Sequence, residues 1–204
     1  STTGTITLTC IDDNLWSGDM TMSFEVASVS GGGASENGTQ TQGVNCQDNE
    51  SIPTVTLATS ATSIAENAGS SLTLTATLSV ATIADVTVTL ATSGTATEGT
   101  DYTDGSGNID DIVISAGDTT GTVSFTPTDD NTYEGNETAV IDIDTVSGLA
   151  TENSTPQQVT ITVTENESAP TVTLSTSASS IAENAGSSLT LTATLSVATT
   201  ADVT

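Results

Sequence analysis

The chain repeats itself. Residues 54–87, TVTLATSATSIAENAGSSLTLTATLSVATIADVT, return at 171–204 as TVTLSTSASSIAENAGSSLTLTATLSVATTADVT, 117 positions further on. The same offset carries DDNLWSGD, which begins at Asp12, onto DDNTYEGN, which begins at Asp129. It also carries Asn49-Glu50-Ser51 onto Asn166-Glu167-Ser168, with no gap anywhere. A period of this length is the size of a domain, not of a short solenoid repeat. One complete unit therefore occupies residues 51–167. Residues 1–50 are the C-terminal part of a preceding unit, and residues 168–204 the N-terminal part of a following one. The stretch 88–117 has a counterpart in neither. Two origins are open: a window from a longer array, or a subunit whose ends are incomplete by design.

Within the complete unit, seven runs alternate Val, Ile or Leu with Thr, Ser or Asp: 54–57, 72–78, 86–90, 112–114, 123–125, 139–143 and 159–163. Gly, Asn and Asp separate them. This is the period of half-buried strands, and no stretch carries a helical period of useful length. Seven short strands with turn signals between them predict an all-β, Ig-like antiparallel sandwich. The expected inward residues are Val55, Leu57, Leu72, Leu74, Ala76, Leu78, Val86, Val88, Leu90, Val123, Phe125, Val159, Ile161 and Val163. The outward threonines favour extended backbone and keep the surface wet.

Charge narrows the function. The chain has no Lys, Arg or His against 26 Asp and Glu. Nucleic-acid phosphates need protein cations to displace their counterions, so no nucleic-acid partner is expected. An anionic membrane surface repels such a chain, and no apolar run is long enough to insert into a bilayer. General acid–base work near neutral pH uses His, Lys or Cys more readily than ordinary carboxylates, so no enzyme is expected. With no internal cations there are no side-chain salt bridges. Dissolved cations, divalent ones above all, are the natural partners of clustered carboxylates.

Four motifs in order, SIAENAGSSLTLTATLS, SGTATEGTDYT, DDNTYEGNE and VTITVTENE, resemble the Calx-beta domain, the repeat of sodium–calcium exchangers, of integrin β4 and of long bacterial surface proteins. The resemblance spans 51–167 and both partial units. It implies tandem seven-stranded sandwiches with calcium bound among the loops at one end. Carried over position by position, the implied ligands are Glu66, Asp129, Asp130, Glu134, Glu137, Glu165, Asn166 and Glu167. In the first partial unit they are Asp12, Asp13, Asp48 and Glu50. There Ser17 stands for Glu134 and Met20 for Glu137, which makes a poorer site. Ser93 stands where exchanger domains carry an acid, and Glu165-Asn166-Glu167 stands where an all-Asp run is usual, so one or two ions are expected. In the third copy Glu183 keeps its motif without its partners. The alternative reading of these acids is a solvated loop cluster with no specific ion.

Cys10 and Cys46 replace Pro127 and Val163 of the complete unit. Cys10 shares strand parity with Ile6 and Leu8, and Cys46 with Val44, so both point inward at the loop end. A disulfide between the two sheets fits this placement and an oxidising compartment, and would contribute about 3–4 kcal/mol by chain entropy. Two buried thiols are the alternative. Trp16 and Tyr133 occupy equivalent places beside the Asp pairs and read as packing residues. The function expected is an extracellular or cell-surface calcium-binding structural or adhesive array. Its partners would be neighbouring repeats or copies of itself head to tail, and surface glycans or other cells. A calcium-sensing regulatory domain is the alternative.

Overall fold

The computed structural model describes residues 3–153, 157–184 and 186–204. The described residues form strands and turns with no helix, and so none long and apolar enough to cross a membrane.

The core lies in the central unit. Its strands are β4 (Thr54–Thr59), β5 (Ser63–Ala65), β6 (Leu72–Leu78), β7 (Ala81–Thr82), β8 (Val86–Gly94), β9 (Tyr102–Thr103), β10 (Ile112–Ile114), β11 (Thr120–Pro127), β12 (Thr132–Tyr133), β13 (Glu137–Ser147), β14 (Thr151–Glu152) and β15 (Gln158–Thr164). One sheet runs β10-β8-β13-β15-β5 and the other β14-β4-β6-β11-β9. Alternation explains the layering: in β6, Leu74, Ala76 and Leu78 are buried while Thr73 and Thr77 are exposed. The two buried faces share one cluster that includes Val55, Val86, Val88, Phe125, Ile141 and Ile161.

All seven expected strands are present, most of them longer than expected. Five short strands were not expected; β5, β9 and β14 bring each sheet to five, and β7 and β12 pair with the flanking segments. The sandwich is also not purely antiparallel, because β14 runs parallel to β4 and β5 parallel to β15. These additions are two or three residues long, below the length at which alternation is visible in sequence. The expected inward residues are all buried or packed against the cluster, with Leu72, Leu90, Val123 and Val159 partly covered. Tyr102 joins them fully buried, its ring stacked on Phe125 with centroids 4.6 Å apart. Gly94, at φ +119°, ends β8 directly against the Thr138 carbonyl, where a Cβ would collide. That carbonyl accepts the N–H groups of both Thr95 and Ala96.

The flanking segments are less complete. Residues 1–50 hold β1 (Leu15–Trp16), β2 (Met20–Glu25) and β3 (Thr41–Cys46), with β2 and β3 paired as a hairpin. By the 117-residue offset, residues 3–46 correspond to the stretch from β11 to β15 of the central unit. The counterpart of β11, residues 3–10, is not a strand, because β11 pairs only with β6 and β9 and neither has a counterpart in this segment. Residues 168–204 hold β16 (Val172–Thr176), β17 (Leu191–Leu195) and β18 (Ala198–Thr199), with β16 and β17 antiparallel. Without a facing sheet, core-parity residues such as Ile6, Leu8, Leu174 and Leu191 are exposed.

Each flanking segment touches the central sandwich by the same kind of contact. β1 pairs in parallel with β7, Leu15 opposite Ala81 and Trp16 opposite Thr82. β12 pairs in parallel with β18, Thr132 opposite Ala198 and Tyr133 opposite Thr199. The Ile83 N–H donates to the Trp16 carbonyl at 3.3 Å. In each copy a threonine hydroxyl shapes the receiving turn: Thr82 donates to the Ala84 carbonyl and Thr199 to the Ala201 carbonyl, both at 2.6 Å. Trp16 and Tyr133 thus sit at unit joints as well as beside the acidic loops.

Candidate metal centre

Four pieces of the central unit end at one tip of the sandwich. Glu66 follows β5, whose short ladder continues as the Glu66 N–H donates to the Thr164 carbonyl at 3.0 Å. Asp101 precedes β9 and caps its own loop, accepting the Thr97 N–H at 2.6 Å. The segment 129–137 connects β11 to β13, and Glu165 to Glu167 follow β15.

The carboxylates meet in two groups. In one, Glu66, Glu165 and Glu167 bring an oxygen each to within 4.8 Å of one another; in the other, Asp101, Glu134 and Glu137 do the same. Glu66 and Glu165 of the first group and all three residues of the second line one small cleft, whose walls include Thr128, Gly135 and Val163.

Glu165 is the frame of this tip. Its Oε2 accepts the N–H groups of Glu134 and Gly135 at 2.6 and 2.7 Å, and its Oε1 those of Asn166 and Glu167 at 3.1 and 3.0 Å. Partial desolvation acts to raise its pKa, but the backbone donors outweigh it and hold the group at about 2. Its neighbours move the other way. Desolvation, then repulsion from Glu165, Glu167 and Asp130, lifts Glu66 to about 7 against one donor, the Asp130 N–H. Desolvation and the adjacent Asp101, with Glu134 and Glu66 behind it, lift Glu137 to about 7. Glu134 and Glu167 are also raised, desolvation leading in both.

The remaining expected ligands lie around these groups. The Asp130 Oδ1 accepts the Thr132 N–H at 2.6 Å, which ties the acidic segment to β12. Asp129 accepts from the Asn166 side chain at 3.2 Å, and Asn166 also donates to Glu167. Sequence reasoning missed two residues. Asp101 completes the second group, and it lay inside the quoted motif SGTATEGTDYT, directly before the buried Tyr102. Asn136 accepts the Glu165 N–H at 3.0 Å and so helps set the frame.

In the first unit Asp12, Asp13, Asp48 and Glu50 share a cleft with Cys10, Cys46, Ser17 and Met20. Among the described residues they do not converge into a group of three. Asp48 repeats the part of Glu165: it accepts the Ser17 N–H at 2.7 Å, the Ser17 hydroxyl at 3.0 Å and the Glu50 N–H at 3.0 Å. The Ser17 N–H, with the other donors, holds Asp48 at about 2 despite desolvation. Cys10 and Cys46 form a disulfide, Cα atoms 6.1 Å apart; Cys46 is half-buried at the end of β3, but Cys10 is exposed and outside any strand, so the bond does not join two sheets as expected.

The donor set fits a hard divalent cation. It offers only oxygens, from separate loops, as calcium coordination demands. Two groups are like-charged with no cationic side chain anywhere in the chain. One oxygen, Glu167 Oε2, is buried with no hydrogen-bond partner. A cation held by Glu66, Glu165 and Glu167 would neutralise the repulsion in that group and engage the orphaned oxygen, and a second held by Asp101, Glu134 and Glu137 would neutralise the repulsion there.

No curated protein matches the chain. Among solved structures, the apo form of the Calx CBD1 domain aligns with a TM-score of 0.45 and 17% identity, over 56% of this chain and 99% of that one. The family model of the Calx-beta domain matches residues 48–167, which takes in both acidic groups and their frame. The chain belongs to the Calx-beta domain family.

Proposed function

We propose that the chain is part of an extracellular, non-catalytic repeat protein. In it divalent calcium at the sandwich tips stiffens an array that serves a structural or adhesive purpose. The observation that carries this reading is the position of segment 129–137. It supplies Glu134 and Glu137 to one acidic group, frames the other through Glu165, and contains β12, which pairs with the following unit. An ion at the tip therefore acts on the element that joins units. The disulfide supports an oxidising, extracellular setting. The recurrence of the joint at β1–β7 and β12–β18 supports a regular array. Neighbouring repeats or a second copy joined head to tail would cover the core-parity residues that the flanking segments expose. Adhesion would be directed at glycans or at other cells.

Calcium titration read jointly by thermal melting and small-angle scattering tests this. A structural role gives a large rise in melting temperature with an unchanged scattering envelope. A small rise with a rearranged envelope would reject it in favour of calcium sensing.

A further inference from the structure

The two tips share a frame and differ in what can close it. Four hydrogen bonds of the central tip recur 117 residues earlier. Asp130 to the Thr132 N–H becomes Asp13 to the Leu15 N–H at 2.9 Å. Asn136 to the Glu165 N–H becomes Asp19 to the Asp48 N–H at 3.0 Å. Glu165 to the Glu134 and Glu167 N–H groups becomes Asp48 to those of Ser17 and Glu50. The backbone of the tip is thus preserved.

Asp48 and Glu50 keep carboxylates in the places of Glu165 and Glu167, but the second acidic group is not kept. Ser17 and Met20 stand in the places of Glu134 and Glu137, two of the three carboxylates of the second acidic group. In the same unit, and nowhere else in the chain, two cysteines appear and are joined. They occupy the positions of Pro127 and Val163, which lie on β11 and β15 in opposite sheets. The disulfide lines the same cleft as Ser17, Met20, Asp48 and Glu50. A bond there ties segment 3–10 to the end of β3 across that cleft, as an ion would tie the loops of the central tip together.

We propose that the first unit closes its tip with the Cys10–Cys46 disulfide in place of a divalent cation, while the central unit, lacking cysteines, depends on the cation. This rests on the calcium reading of the central tip. The array would then contain units that answer to redox conditions and units that answer to calcium.

The test is residue-resolved amide hydrogen exchange on the 204-residue chain, oxidised or reduced with dithiothreitol, in calcium or in chelator. Reduction should speed exchange at Ser17 and Glu50 about tenfold or more and leave Glu134, Gly135 and Glu167 unchanged, while chelation should do the converse. If reduction leaves Ser17 and Glu50 protected while calcium still protects Glu134 and Glu167, the substitution is wrong and the calcium reading stands. If reduction opens the first tip but calcium protects neither, the calcium reading falls and takes the division with it. A gain-of-function variant closes the loop: Pro127→Cys with Val163→Cys should keep Glu134 and Glu167 protected in chelator. Protection that still depends on calcium in the oxidised variant would overturn the proposal.

Discussion

Two neighbouring carboxylates should respond with opposite sign to the same chemical change. Glu165→Gln keeps one carbonyl oxygen for one pair of backbone donors and turns an amide nitrogen toward the other pair. Two charge-assisted bonds, those from Glu134 and Gly135 or those from Asn166 and Glu167, are lost. Each such bond contributes about 1.5–3 kcal/mol when well sheltered. The tip is only partly sheltered, so the lower end applies and the loss is about 3 kcal/mol in all. For a domain of this size that is a fall in Tm of about 10 °C. Glu66→Gln differs. Its oxygen can still accept the Asp130 N–H, while a charge that repels Glu165 and Glu167 disappears. In chelator that variant should melt higher than the parent, and in calcium it should gain less from the ion. Thermal melting of both variants in chelator and in excess calcium is the assay. A Glu165→Gln variant as stable as the parent, or a Glu66→Gln variant less stable in chelator, would refute the division into frame and ligand.

Other outcomes follow from the same geometry. Glu66 and Glu137 titrate near 7 in the folded apo chain and in the ordinary carboxylate range, about 4.5, when unfolded, so the folded state binds more protons between those values. Apo stability should fall as pH rises through that window, whereas the stabilisation calcium adds should grow with pH because its ligands must be deprotonated; melting at pH 5 and pH 8 with and without chelator checks both signs. Glu165 acts oppositely, its contribution being present above the unfolded value of 4.5 and lost as pH falls toward about 2, which acid titration in chelator should reveal. Phe125→Ala empties a fully buried site stacked on Tyr102 and should cost about 3–5 kcal/mol in chemical denaturation. Ile83→Pro removes the N–H that meets the Trp16 carbonyl, so segment-specific exchange at 15–16 should rise while the melting of the central unit stays within a few degrees.

Most of the sandwich was legible because its signal is period two. Runs such as Leu72–Leu78 and Val86–Gly94 present Val and Leu to one side and Thr to the other over enough residues to count. Strands of two or three residues, such as Ser63–Ala65 and Thr151–Glu152, carry no such count and follow from the main chain already assembled around them. The unit joints were hidden for the same reason, and because their pairing is between backbones. Leu15-Trp16 and Thr132-Tyr133 differ in sequence yet make the same register. At the tip, the residue types were readable but their division was not. Glu66, Glu165 and Glu167 look alike in sequence, and only the direction of the N–H groups of Glu134, Gly135, Asn166 and Glu167 makes Glu165 the frame. Asp101 was overlooked because it lies far along the chain from the Glu134 and Glu137 it meets.

Everything turns on whether the crowded oxygens of the central tip exist to hold an ion. Isothermal titration of the chelator-stripped chain with calcium addresses this directly, alongside Glu66→Gln and Glu137→Gln variants. The account predicts saturable binding of two ions in the central unit, with one lost in each variant. An absence of saturable heat, or two variants that bind as the parent does, would contradict it.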